Sequence, residues 1–516
     1  MVAVAGLTGC AKRPDAANQV LRISQRNEPT DLDPATASLP DEFFVIRALG
    51  EGLLVPNPAG GAPLPAAAER YDVSPDGLTY TFRLREAAQW SNGEPVTAQD
   101  FVASFQRVLT PATAAPKAHL FYAVKNAREF ATGTLTDFSR VGIRAADSRT
   151  VVVTLAEPSP NFPLYVASGP WIPVNPRAVA RHGRSWTSPE NHVGNGPFTL
   201  VEWRAQQRIV ARRNPRYRDA ASVRLGGIEF IRLDNQEAEE RAYRAGQIDV
   251  TMAVPQPKLD TYAHERTAEL HRAPLAETRF LSFNTTKPPL TDPRVRRALA
   301  LSIDRQKIVA YVLRGGQSPA QRYLSPALLG HETPRGQPAA QPFDPVEARR
   351  LLAEAGYPEG RGFPVLELAG WVQNPVLEAI QEMWRQALGI EVRIRIQEAK
   401  VHLAAVSAGA YDIAFVTNLL DVRDPAAALE DFTTGAPNNF PHWKSPRFDE
   451  AVRTAGSHRD PRAATDALTS AEALLLDSAA IAPVYFNAQN WLMSPRVHSW
   501  QQDAFWTRQY TEVWLR

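Results

Sequence analysis

Between residues 364 and 421 the chain alternates strand and helix patterns with joints too short for a long excursion. An apolar stretch near 364–370 precedes a helical one near 375–388 that Gly389 stops. Then come "IEVRIRI" as a strand, "EAKVHLAAVSAGA" as a helix and "YDIAFVT" as a strand. Parallel neighbours need a crossover, usually helical, so this order predicts a parallel α/β unit. In open parallel sheets, ligands sit beyond the carboxyl ends of the strands. Residues Asn418 to Asp421 of "YDIAFVTNLLDVRDP" (411–425) fall at such an end. Asp421 is either an aspartate that starts a turn or caps a helix, which strand exits often carry, or a carboxylate at the rim of a pocket.

Helix starts in this half are marked clearly. "DPRVRRALALSI" places Asp292 as N-cap and Pro293 at the first helical position. "DPVEARRLLAEAGY" repeats this with Asp344 and Pro345, adds Glu347 for a capping box, and stops at Gly356. The first half reads as antiparallel β with fewer helices. "QVLRISQ" and "LTYTFRLR" are strands, and "TAQDFVASFQRVL" is an amphipathic helix with Thr97 as N-cap. "SRTVVVTLAEPSPNFPLYVA" is a strand with a proline-rich exit, and "NGPFTLVEWRAQQRIVARRNPRY" is a hairpin. "EAEERAYRAGQIDV" is a helix stopped by Gly246 before a strand. At 516 residues the chain exceeds what one core organises, so two or three domains are expected.

Charge and cysteine usage narrow the function. Lys plus Arg is 57 and Asp plus Glu is 55, a balance that gives no electrostatic case for nucleic acid. The single cysteine, Cys10, excludes disulfides within the chain and Cys-based zinc sites. "LTGC" after "MVAVAG" resembles a bacterial lipobox, in which the cysteine is lipidated once the signal is cut, and "AKRPDAANQ" follows as a tether. The short apolar run implies either that a true start lies further upstream or that the leader has been trimmed. No later stretch is apolar for long enough to span a bilayer as a helix. Nucleophile elbow, Walker and dinucleotide-binding motifs are all missing, and the ten histidines show no ligand spacing, so neither cofactor nor metal site is expected. Eleven tryptophans, among them Trp90, Trp171, Trp371, Trp443, Trp491 and Trp506, serve packing or line a cleft.

One block carries a resemblance. "REAAQWSNGEPVTAQDFVASFQRVL" (85–109) contains, from Trp90 to Phe101, the Trp-Ser-(Asp/Asn)-Gly-x-Pro-Val-Thr-Ala-x-Asp-Phe signature of the extracellular solute-binding proteins of family 5, the peptide/opine/nickel type. "NEPTDLDP", "EGLLV", "GNGPFTLVEW" (194–203), "RFLSFNTTKPPLTDPRVRRALALSIDR" (279–305), "ARRLLAEAGYP", "HWKSPRFDEAV" and "DSAAIAPVYF" resemble further family blocks in the same order. The chain is most similar in kind to the periplasmic oligopeptide-binding proteins.

The resemblance implies an α/β, bilobal periplasmic-binding-protein fold (class II-like, cluster C) with three domains and a hinge. Its domains would be 18–50 with 174–278 and 488–516, then 51–173, then 279–487, after a leader and tether at 1–17. It implies a non-enzymatic, monomeric receptor that closes on a short peptide or peptide-like ligand and delivers it to an ABC permease–ATPase complex. The receptor would stand in the periplasm or on the outer face of the membrane, anchored through Cys10. Aligned with the family's Trp-x-x-Asp motif, Asp421 becomes the partner of the ligand α-ammonium. Main-chain groups around Thr417, Asn418 and Leu419, and at Ser38, Leu39 and Pro40, would hold the ligand backbone like an added strand. Arg279 and Asn487 complete the expected contacts. The chain departs from the pattern where Asn418 replaces the tryptophan, and where Phe415 and Val406 stand in place of arginines that meet the ligand carboxylate. Arg279 or Arg423 is left to replace those cations. The same fold binding an opine, sugar derivative or metallophore is the alternative reading. A secreted hydrolase or a chaperone-like lipoprotein is an alternative of another class.

Overall fold

The computed structural model describes residues 19–329, 341–371, 374–457 and 460–516. Cys10 therefore lies outside the described residues, as does its lipobox. Most element starts follow from local chemistry read above. Thr97 caps the helix Ala98–Leu109 by accepting from the Asp100 amide, and Asp100 returns a bond to the Thr97 amide at 2.9 Å. The same carboxylate accepts from Trp90 Nε1 at 3.2 Å, which ties the tryptophan of the signature block to its aspartate. Asp292 and Asp344 cap Pro293–Leu301 and Pro345–Glu354. The capping box expected of Glu347 does not close, because its carboxylate pairs with Arg350 at 2.5 and 2.7 Å instead.

Three sheets organise three cores. Strands Val20–Gln25, Gly227–Arg232, Arg208–Arg213 and Phe198–Arg204 form one sheet in that order, the last pair being the expected hairpin. Its core combines residues from 21–49, 172–252 and 491–515. An antiparallel sheet of Ala68–Val73, Thr79–Leu84, Thr150–Thr154 and Ile143–Asp147 packs against Ala98–Leu109, with Trp171 stacked on Phe121 at 4.1 Å in a second core. The largest sheet has six strands, ordered Ser318–Pro319, Ile481–Leu492, Leu270–Phe283, Ile413–Leu419, Leu366–Gly370 and Val392–Ile396. The last three are the parallel unit, crossed by the helices Pro375–Leu388 and Ala399–Ser407. Strand alternation splits this third region into two faces. Ile413 and Phe415 join one apolar cluster, and Ala414 and Val416 join the other.

Two strands tie the first and third cores together. Leu270–Phe283 and Ile481–Leu492 pair antiparallel, with register shifts between Pro274 and Thr278 and again between Arg279 and Phe280. One end of this ladder places Trp491 in the first core, and the other places Leu281 and Val484 in the third. Such shifts bend and twist a strand locally.

A proton-sensitive ring lies beside the first core, lining a small cavity with Leu32, Ile46, Leu49 and Ile172. His192 stacks near Trp186 at 5.7 Å, its Nδ1 lacks a hydrogen-bond partner, and burial pushes its pKa from an ordinary 6.5 to about 4. The unfolded chain takes up a proton near pH 6.5, whereas the folded chain refuses it until about pH 4. The contribution is thus complete above pH 6.5 and is lost as pH falls through that window, by at most about 3 kcal/mol. Chemical denaturation at pH 7.5 and 4.5 is expected to show a smaller drop in His192→Gln than in the wild type.

Candidate binding cleft

The strand Ile413–Leu419 ends in a bend, and two aspartates follow it. Asp424 caps the helix Pro425–Glu430 by accepting from the Ala426 amide at 3.0 Å. Its carboxylate also accepts from Asn161 Nδ2 at 3.1 Å and Tyr165 Oη at 2.8 Å, both from the proline-rich exit of the second core. Among the described residues no backbone amide donates to the Asp421 carboxylate. It forms an ion pair with Lys117 Nζ, and His119 Nε2 lies 4.0 Å from its other oxygen. Burial lowers the His119 pKa against the pull of Asp421, so this ring is neutral at pH 7 and Lys117 is the cation of the group.

A third wall comes from the C-terminal loop. Asp503 accepts from the amides of Phe505 at 2.8 Å and Thr507 at 2.9 Å, and Trp506 takes a left-handed backbone with φ +60°. That tight loop, closed by the pair Gln501–Gln502 and Arg508–Gln509, sets Phe505 and Trp506 against the bend at 421–423. Burial raises the Asp503 pKa, opposed by those two amides and by Arg47 and Arg423.

Asp421 lines two cavities in this cleft. One, of about 50 Å³, also meets Arg47, Gly60, Arg423, Asp503 and Phe505. The other, of about 40 Å³, meets Pro40, Phe43, Lys117, Leu420 and Trp506. A water needs roughly 10–15 Å³ of such space, so each has room for a few waters, and the walls meet across the cleft at Lys117–Asp421 and Tyr165–Asp424.

The other expected contacts gather elsewhere. Glu277, buried in the long strand, accepts from Thr417 Oγ1 at 2.7 Å and Asn487 Nδ2 at 2.9 Å, and pairs with Arg279 at 2.7 Å. Arg279 also lies over Trp371, 5.0 Å from its centroid. Thr417, Asn487 and Arg279 thus converge on Glu277, and none of them lines the cavities at Asp421. Asn418 points to the opposite sheet face, where Nδ2 bonds Tyr323 Oη. Leu419 sits opposite Glu277 in the ladder. The amides of Ser38 and Leu39 both donate to Glu42 Oε2, at 2.8 and 2.9 Å, as the cap of Pro40–Leu49. Phe415 and Val406 are buried in the core, so neither position offers a polar group to a ligand. Lys117, Arg47, Tyr165 and Phe505 were not singled out by sequence. Their positions in the chain lie far from Asp421, and only the fold joins them.

Residues 62–440 match the sequence profile described as "Bacterial extracellular solute-binding proteins, family 5 Middle". The chain belongs to this family. It is 33% identical over 493 residues to the "Probable deoxycholate-binding periplasmic protein YgiS" of Escherichia coli (strain K12), covering 94% of this chain and 91% of that protein. It is 34% identical over 491 residues to the "Periplasmic oligopeptide-binding protein OppA" of the same organism, covering 93% and 90%. Its fold is similar to that of "MppA Periplasmic Murein Tripeptide Binding Protein, Unliganded Open Form", with a TM-score of 0.81 and 30% identity over 96% of this chain and 97% of that one. A family 5 member is an α/β, bilobal binding receptor and not an enzyme.

Proposed function

We propose that this family 5 receptor captures short peptides or peptide-like ligands in the cleft at Asp421 and passes them to an ABC permease–ATPase complex. The observation that carries this reading is the ion pair of Asp421 with Lys117. It is an ammonium held by a carboxylate across a closed cleft, the interaction a peptide N-terminus would make after displacing the lysine. The receptor is divided as 18–50 with 174–278 and 488–516, 51–173, and 279–487, and bends at the register shifts between Pro274 and Phe280. Opening separates Asp421 and Asp424 from Lys117, Asn161 and Tyr165, which admits the ligand. The receptor acts as a monomer outside the cytoplasm, tethered through a lipid on Cys10.

A second reading is favoured by the cleft walls. Phe43, Phe505 and Trp506 are aromatic, and the Asp421 charge is already met by Lys117. An amphipathic organic acid, as the name of YgiS indicates for that protein, suits such a surface without using a free amine.

Thermal melting with di- to pentapeptides, each paired with its N-acetylated form, tests the first reading. A ligand at 100 times its Kd is expected to add about 2.7 kcal/mol of apparent stability. Free peptides should shift the melt and acetylated ones should not. Equal shifts would remove the amine anchor, and no shift from any peptide would remove the peptide reading.

A further inference from the structure

The cleft holds one cation more than it neutralises. Arg47, Lys117 and Arg423 line the two cavities against Asp421 and Asp503. Lys117 is paired with Asp421. The Asp503 carboxylate is held by two backbone amides. Arg423 makes no hydrogen bond or ion pair among the described residues. Its guanidinium lies over the Phe505 ring, 5.6 Å from the centroid, and faces Gly60, where an added Cβ would stand 3.0 Å from Nη1. Gly60 has φ +84°, so both its backbone and the guanidinium favour glycine there. Among the described residues Arg47 has no ion pair either, and its side chain makes only two long bonds of 3.4 Å to the Ala167 carbonyl.

We infer that Arg423, with Arg47 beside the same cavity, forms a carboxylate subsite, and that the ligand of this receptor is an organic acid whose acid group is bound there against Phe505. This rests on the cleft being the ligand site, and it holds for either ligand class proposed above. A planar guanidinium with free donors matches a carboxylate in a bidentate fork, and an aromatic face keeps the fork oriented. An extended dipeptide or tripeptide would have its ammonium at Asp421 and its carboxylate at Arg423. An amphipathic acid without an amine would leave Lys117 on Asp421 and use the arginines alone. Arg279, the other replacement considered for the missing family cations, is taken by Glu277.

The test is isothermal titration of the full chain with two matched pairs: Ala-Phe against Ala-Phe-amide, and deoxycholate against its methyl ester. In the wild type the acid of at least one pair should bind roughly tenfold or more tighter than its neutral partner. In Arg423→Gln that preference should shrink to about twofold or less, and Arg47→Gln should reduce it in the same direction. Melting curves of both variants without ligand check that they fold. An acid preference in the deoxycholate pair with no binding of either peptide supports the subsite and removes the peptide reading. Equal binding of acid and neutral partner in every pair that binds, or an acid preference that survives in Arg423→Gln, overturns the subsite, whereas binding of either peptide leaves the peptide reading standing. No binding by either pair overturns the subsite as well.

Discussion

Asp421→Asn is expected to weaken binding of a peptide with a free N-terminus by ~2–5 kcal/mol, which is roughly 30-fold or more in Kd. The loss comes from leaving the ligand ammonium without its counter-charge inside a closed cleft, where water cannot replace it. Lys117→Met is expected to act in the opposite direction. In the free receptor Lys117 occupies Asp421, and a peptide must displace it. Removing that competitor should tighten binding several-fold, since a partly exposed pair is worth up to about 1 kcal/mol. Both changes should leave N-acetylated peptides almost unaffected. Titration of the two single variants and the double variant separates the cases: the double should resemble Asp421→Asn, because without the carboxylate there is nothing to compete for. If Lys117→Met weakens free peptides instead, the lysine contacts the ligand directly, and the displacement scheme is wrong.

The parallel unit and the position of Asp421 were legible because both rest on local rules. Gly389 does end its helix with φ +68°, and Asp292 and Asp344 cap the helices they were expected to cap. The question posed by the two aspartates also divides along local lines. Asp424 precedes Pro425 and caps a helix, while Asp421 is left for the cleft. The partners of Asp421 were not legible. Lys117 and His119 stand 304 and 302 positions away, and no period or spacing links them to the strand exit. Alternation along Ile413–Leu419 already sends Thr417 and Asn418 to opposite faces. Ligand contacts assigned to consecutive residues of this strand therefore had to be made by the main chain, since both side chains cannot face one cleft. What sequence could not supply was Glu277, an acid inside an apolar strand, which engages Thr417, Asn487 and Arg279 before any ligand arrives.

Glu277→Ala is accordingly expected to cost about 3–5 kcal/mol of stability while changing ligand affinity little. The carboxylate is buried and satisfies three donors from the two neighbouring strands and its own, so its removal strands the Arg279 charge and leaves Thr417 and Asn487 without a partner. Arg279 Nε already lacks a hydrogen bond, and its stacking on Trp371 does not replace the lost counter-charge. Glu277→Gln, which keeps an acceptor oxygen but not the charge, should fall between the two. The position matters as much as the contacts: Glu277 lies within the first register shift of the strand that ties the first core to the third, so loosening it also loosens the expected bend. Urea unfolding followed by tryptophan fluorescence reads the stability, and titration with the same peptides reads affinity. A large affinity loss with unchanged unfolding would return Arg279, Thr417 and Asn487 to the ligand. The opposite result makes them the frame that holds the strand exit, and with it Asp421, at the cleft.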